Sequence, residues 1–240
     1  MKILSTLILL ATLFTSSLTL NITCRFTTKK GDYACTVTKI VASSPTDTTV
    51  TSVDGRQQKD KTTDDVKIFE ARGKNLKRFP LELGAFLPNL EVIAIERGLT
   101  EIHKEDLEQF PSLRKLYLSK NEIQDIESEL FVNNPELELI FLGNNKIKSV
   151  AAEVFDGLEN LQHLGFERNK CFTAAVENNR DGVLKLIQNI YQKCSTAAVS
   201  TGSSIGAAAG TTTIKSTTVE STGEEEEIPE ETEEEAIKMS

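Results

Sequence analysis

The chain has 240 residues and a formal net charge of −9, with 39% hydrophobic and 26% charged residues. Residues 195–240 contain ten Glu and two Lys, and they therefore account for −8 of that charge. This acidity argues against nucleic acid as a partner, because a phosphate backbone requires a basic surface.

Residues 1–20 have the pattern of a signal peptide. Lys2 precedes a predominantly apolar run over residues 3–14, and small and polar residues follow it. The run is too short to cross a bilayer comfortably, which favours cleavage, predicted between Ser17 and Asn21, over an uncleaved anchor. No later segment has the length and apolarity of a membrane span or of a lipid-anchor signal. The sequence therefore predicts a secreted, extracellular protein without stable membrane insertion.

A β-hairpin is predicted after the signal peptide. Turn residues at positions 30–32 separate two strand-like segments and bring Cys24 and Cys35 across from each other. The following segment, residues 41–63, is polar and is interpreted as a loop. Asn21 begins the sequon Asn-Ile-Thr, which predicts N-glycosylation, but its closeness to the predicted cleavage site leaves its use open.

Residues 64–170 repeat with a period of 23–24 residues, the sign of stacked structural units. Apolar residues recur at the same spacing in five copies, which start at Val66, Leu90, Leu113, Leu137 and Leu161. In the third copy, Leu116 and Leu118 alternate with outward residues and therefore lie on one face of a short strand. Each copy thus predicts one strand, and the copies stack strand beside strand.

Three copies have an asparagine at the same position, Asn121, Asn145 and Asn169. The chain must turn beneath each strand at this point, and the turn leaves backbone N–H and C=O groups facing inward. An amide side chain offers donors and an acceptor to such groups, as buried backbone requires. The three asparagines are therefore predicted to form a structural ladder rather than to bind a ligand.

The resulting motif, LxxLxLxxNxL, resembles that of extracellular leucine-rich repeat proteins over roughly residues 24–194. Within that group, the chain is similar to small secreted members from insects. The resemblance implies an α/β fold, a leucine-rich repeat solenoid of about five repeats with a concave parallel β-sheet. It also implies disulfide-bonded caps, an N-terminal one over residues 21–63 and a helical C-terminal one over residues 171–194.

Four cysteines in a secreted chain predict two disulfides, and the count alone allows three pairings. The two ends of a solenoid lie far apart, so the topology favours the pairs Cys24–Cys35 and Cys171–Cys194. Neither pair has the spacing of zinc ligands, and the two histidines are isolated. No metal or other cofactor is predicted.

The outward side chains of the five strands form a surface that we call the concave face. Two rows of it are Ile68, Val92, Lys115, Leu139 and His163, and Glu70, Ala94, Tyr117, Phe141 and Gly165. Because neighbouring strands lie about 4.8 Å apart, the apolar members of these rows are expected to form an exposed cluster. A charged rim, which includes Arg97 and Lys120, is expected around it. Such a surface suits protein recognition. The alternative is that scattered surface aromatics have no function.

The sequence contains no catalytic motif, so we predict a non-enzymatic module that binds an extracellular protein. Some relatives act in extracellular recognition, including immunity, and the resemblance implies a similar role. The binding residues are predicted to be Val92, Arg114, Lys115, Tyr117, Leu139, Phe141 and His163. Homodimerisation through the same face stays open.

The rival hypothesis assigns the function to the C-terminal segment. Residues 195–240 are rich in Ser and Thr and then in Glu, a composition that predicts a disordered tail. In this second interpretation, the chain is an extracellular structural or matrix protein whose acidic tail binds cations or basic partners.

Overall fold

A computed structural model describes residues 19–43, 48–74 and 76–195. The predicted signal peptide, except for its last two residues, and almost all of the predicted tail lie outside these ranges. The strands are β1 Leu20–Lys29, β2 Asp32–Ala42, β3 Val50–Asp54, β4 Val66–Arg72, β5 Val92–Glu96, β6 Lys115–Tyr117, β7 Asp125–Ile126, β8 Leu139–Phe141, β9 Ser149–Val150, β10 His163–Gly165 and β11 Ala175–Val176. The α-helices are α1 Leu83–Phe86, α2 Lys104–Leu107 and α3 Arg180–Cys194, and a short 3-10 helix spans Thr63–Asp65.

Strands β1 and β2 form the predicted antiparallel hairpin. Lys30 and Gly31 turn the chain with φ angles of 50° and 101°, the left-handed conformation that a tight two-residue hairpin turn requires. Cys24 lies opposite Val37, two residues beyond Cys35, so the two cysteines are diagonal neighbours rather than direct partners. Their Cα atoms are 5.2 Å apart and they form a disulfide. The bridge joins the two strands on their buried side.

The segment 41–63, interpreted from sequence as a polar loop, contains a strand. Val50–Asp54 forms β3, which runs parallel to β1 at the edge of the large sheet. The Val50 N–H donates to the Leu81 carbonyl at 2.9 Å, and the Val50 side chain is buried. The loop interpretation is wrong here. Although the segment is polar, its Thr and Val residues are β-branched and favour extended backbone.

From β4 to β10 the large sheet is parallel, and its register follows the sequence repeat. The sheet order is β11-β10-β8-β6-β5-β4-β2-β1-β3. Leu116 pairs with Ile93 on one side and with Ile140 on the other, and Leu164 continues the same row. All four side chains are fully buried. Residues one repeat apart in sequence are therefore neighbours across the sheet.

The core fills the space behind the parallel strands. Aromatic side chains from successive copies touch there: Phe79 and Phe110 have ring centroids 6.3 Å apart, and Phe131 and Phe155 have theirs 5.7 Å apart. The backbone beyond the strands is mostly turns, with α1 and α2 as single helical turns. A second parallel sheet of β7 and β9 was not predicted, because two-residue strands carry no periodic signal.

The segment 171–194 combines a strand and a helix. Its strand β11 pairs antiparallel with β10, and α3 follows from Arg180. The Asn179 side chain caps α3 by accepting from the Gly182 N–H at 3.0 Å. The Cys171–Cys194 disulfide, with Cα atoms 5.1 Å apart, ties the helix end to the last repeat. None of the described helices is long and apolar enough to cross a membrane.

Candidate functional site: the concave face and its edge

The turn beyond the parallel strands is held by asparagine side chains. Asn121 Oδ1 accepts from the backbone N–H groups of Gly98 and Leu99, each at 3.1 Å. Its Nδ2 donates to the carbonyls of Ile95 at 2.7 Å and Leu118 at 2.9 Å. Asn121 is buried, and these bonds use its polar atoms. The predicted structural role is confirmed, and no polar atom of Asn121 is left over for a ligand.

Asn145 and Asn169 repeat this arrangement. Asn145 accepts from the Ile123 N–H at 3.1 Å and donates to carbonyls of its own copy and of the preceding one. Asn169 accepts from the Ile147 N–H at 3.1 Å and donates in the same way. The ladder fixes each strand end relative to the next, and this sets the positions of the side chains on the concave face.

The apolar cluster predicted to be exposed on the concave face is covered. Tyr117 is 3% exposed, Leu139 6% and Phe141 2%, so their assignment as accessible binding residues is wrong. These residues are nonetheless outside the contiguous core cluster that contains their neighbours Leu116 and Ile140. Other side chains of the concave face bury them, and they form a second apolar layer there.

The cause of this burial is the close spacing of the strands. The rings of Tyr117 and Phe141 are 5.5 Å apart at an interplanar angle of 59°. Phe141 also covers the next strand, because a Cβ added to Gly165 would lie 2.5 Å from Phe141 Cδ1. Since strands about 4.8 Å apart leave little width for an aromatic ring, each ring packs against its neighbour. Sequence reasoning placed the side chains on the correct face but equated facing outward with exposure.

The remaining predicted binding residues are accessible to different degrees. Val92, Lys115 and His163 are half-buried, and Arg114 is exposed. Arg114 Nε donates to Glu138 Oε1 at 2.9 Å, and this hydrogen bond raises the pKa of the Arg114 guanidinium. His163 Nδ1 accepts from the Asn178 N–H at 3.0 Å. The accessible part of the concave face is therefore polar and charged rather than apolar.

Ion pairs between adjacent copies leave this side of the sheet with a positive balance. Carboxylates are paired between adjacent copies in Lys67–Glu91 at 2.8 Å, Arg72–Glu96 at 2.7 Å and Arg114–Glu138, and Glu70 is paired with Lys29 of the hairpin. Three cations of the same surface, Arg97, Lys115 and Lys120, form no ion pair within the described ranges. These unpaired positive charges favour an acidic partner.

A depression of about 410 Å³, open to solvent, lies where the strands end and the turns begin. We call this space the edge cavity. It is lined by Arg97, Gly98, Lys120, Asn121, Glu122 and Asn144. Sequence reasoning placed Arg97 and Lys120 only in a general charged rim. The sequence feature that could have indicated the cavity is a basic residue directly before the asparagine position in two successive copies.

The sequon asparagine lies inside a strand. Asn21 is part of β1 between β2 and β3. Its Oδ1 accepts from the hydroxyls of Thr51 at 2.8 Å and Ser52 at 3.0 Å. The side chain is half-buried, and glycosylation at this position stays a prediction.

One histidine lies among carboxylates away from the concave face. His103 Nδ1 is 3.1 Å from Glu127 Oε2, and this hydrogen bond raises the pKa of the His103 imidazole. Asp106 lies beside it, and burial raises the pKa of the Asp106 carboxyl. Over the part of the chain that the structure describes, no group of three or more His, Cys, Asp or Glu could hold a metal ion.

Parallel strands that recur every 23–24 residues, with few helices and two disulfides, fit a leucine-rich repeat solenoid. The family model described as Leucine rich repeat matches residues 111–170, which supports a leucine-rich repeat protein. A search for similar curated proteins returned no significant match.

Proposed function

We propose that this protein is a secreted module that binds an extracellular protein on its concave face, as part of extracellular recognition such as innate immunity. Leucine-rich repeat domains are generally protein-interaction modules and are typically non-enzymatic, which supports binding rather than catalysis. The observation that carries the proposal is the charge balance of the face. Glu91, Glu96 and Glu138 are paired, whereas Arg97, Lys115 and Lys120 form no ion pair with any residue that the structure describes.

The partner contacts the accessible layer of the face. Val92 and Lys115 lie side by side on β5 and β6, and Arg114 flanks them. Tyr117 and Phe141 lie beneath, where they support the surface rather than anchor the partner. Unpaired cations increase the association rate of an acidic partner, and salt weakens this effect.

Binding is tested by affinity capture from extracellular fluid, followed by affinity measurement with the purified captured protein. Lys115→Glu is expected to weaken binding at least tenfold, because it places a carboxylate opposite an acidic partner. The matched control is Lys185→Glu, the same change at an exposed position on α3. If both variants bound the captured partner as tightly as the wild type does, the concave face would not be the binding surface.

Secretion is tested by expressing the full chain in eukaryotic cells and sequencing the N-terminus of protein recovered from the medium. The expected terminus lies at or before Thr19, because the Thr19 carbonyl accepts from the Ser43 N–H at 3.1 Å and Leu20 begins β1 in the core. Retention of all the protein inside the cells would overturn the proposed location. Sedimentation of the same material determines whether two copies associate.

A further inference from the structure

The edge cavity brings together two cations from adjacent copies. Arg97 and Lys120 follow β5 and β6, and the Arg97 N–H donates to the Lys120 carbonyl at 3.0 Å. Both residues have left-handed backbone, with φ of 66° and 61°, so their Cβ atoms leave the turn in equivalent directions. Both side chains are exposed. The fold thus holds two positive charges beside one concave surface.

No residue that the structure describes neutralises either charge. Among the described residues, no carboxylate pairs with Arg97 or with Lys120. The nearest acids are already engaged: Glu96 pairs with Arg72 at 2.7 Å, and Glu122 pairs with Lys146 at 3.2 Å. The interaction with Lys146 also lowers the pKa of the Glu122 carboxyl, which keeps that pair ionised. The cavity therefore keeps a surplus of positive charge.

The hydrogen-bond donors that line the cavity favour a ligand with hydrogen-bond acceptors. The Asn144 Oδ1 accepts from Arg168 Nη1 at 3.4 Å, an orientation in which the Asn144 Nδ2 can donate to a ligand. The backbone donors of Gly98 and Leu99 are taken by Asn121. Side-chain donors must therefore hold the ligand. A guanidinium, an ammonium and an amide NH₂ together suit carboxylate oxygens.

The size of the cavity indicates whether its ligand is a single carboxylate group or a peptide segment. A volume of about 410 Å³ lies within the roughly 300–1,000 Å³ typical of ligand sites, and it exceeds what one carboxylate fills. We propose that the edge cavity binds an acidic peptide segment, with the carboxylates of two neighbouring Asp or Glu side chains placed on Arg97 and Lys120. This inference rests on the proposed protein-binding function and names the chemistry of the partner.

The test uses fluorescence anisotropy with a labelled hexaglutamate peptide and the full chain at low ionic strength. The wild type is expected to bind it, and Arg97→Gln with Lys120→Gln is expected to weaken binding at least tenfold. The matched control, Lys185→Gln with Lys193→Gln, removes the same charge from α3 and should stay within twofold of the wild type. Thermal melting of both double variants should match the wild type, because exposed side chains without partners contribute little to stability.

Two further probes define the ligand class. A hexaglutamine peptide of equal length is expected not to bind, and citrate is expected to compete only weakly with hexaglutamate. Equal affinity of the cavity variant and the wild type, or binding of hexaglutamine, would overturn the proposal. Citrate that binds as tightly as the peptide would overturn the peptide assignment in favour of a small carboxylate. None of these outcomes depends on Lys115, so the edge cavity and the concave-face proposal can fail separately.

Discussion

Some residues on opposite faces of the parallel strands are buried to nearly the same extent for different reasons. Leu116 and Leu118 have no exposed surface, and Tyr117 between them is only 3% exposed. The leucines belong to the continuous core, whereas Tyr117 lies outside it and packs against Phe141 on the concave face. Low exposure on a parallel stack therefore does not identify a core residue. The position of a side chain relative to the sheet must be known as well.

The two faces also differ in how their residues vary between copies. The inner row keeps large aliphatic side chains, Ile93, Leu116, Ile140 and Leu164, because each must fit between equivalent neighbours. The outer row changes from Ala94 to Tyr117, Phe141 and Gly165. There, a large ring is accommodated by a small neighbour, so the outer layer depends on pairs of residues rather than on a repeated type.

The largest expected effect is on the inner face. Leu116→Ala should lower the free energy of unfolding by about 2–5 kcal/mol, since it opens a cavity in a fully buried row. Urea unfolding followed by circular dichroism measures the change. Lys120→Ala, at an exposed position, should change the stability by no more than about 0.5 kcal/mol. Equal losses in the two variants would show that the inner and outer positions have been assigned incorrectly.

The second largest expected effect on stability comes from breaking the asparagine ladder. Asn121→Ala removes the one oxygen that accepts from the N–H groups of both Gly98 and Leu99, at an expected cost of roughly 1–3 kcal/mol for the lost acceptor. Asn169→Ala should cost less, because Asn169 is half-buried and water can replace it. Denaturation of both variants under one set of conditions gives the comparison. An equal loss at the two positions would mean that burial does not set the strength of the ladder.

A smaller effect is expected on the outer face. Gly165→Ala places a methyl group where Phe141 now lies, so it should destabilise the protein by about 1–3 kcal/mol. The same change in a Phe141→Ala background should cost much less, because the ring is gone. Thermal unfolding of the four proteins in this double-mutant cycle measures the coupling. Additive effects would contradict the packing of Phe141 over Gly165.

The smallest expected effect depends on pH. The folded pKa of His103 is raised above its ordinary value of 6.5, with the Glu127 hydrogen bond as the main cause and Asp106 and Glu101 nearby. Protonated His103 therefore stabilises the fold fully below about pH 6.5, and this contribution is lost as the pH rises through the raised pKa. Glu127→Gln should be less stable than the wild type near pH 6, and the difference should narrow toward pH 8. A difference that does not vary with pH would exclude this charge interaction.

Much of the fold could be predicted because its signals are local and periodic. The starts of the five copies, the buried positions of Leu116 and Leu118 and the role of Asn121 all follow from the spacing of residue types. The hairpin followed from its turn residues, and the separation of the solenoid ends predicted both cysteine pairs. Strand β3 was missed because its pairing with β1 joins segments whose own sequence is mostly polar.

Much less of the candidate site could be predicted. The alternation of a strand determines which face a side chain lies on, and for Tyr117 and Phe141 the sequence by itself determined that face. Only the tertiary structure decided that both rings are covered, because exposure depends on the sizes of neighbours about 24 residues away. The same holds for Arg97 and Lys120. Their charges are evident in the sequence, but whether a carboxylate from the next copy neutralises them depends on three-dimensional distances that no single repeat contains.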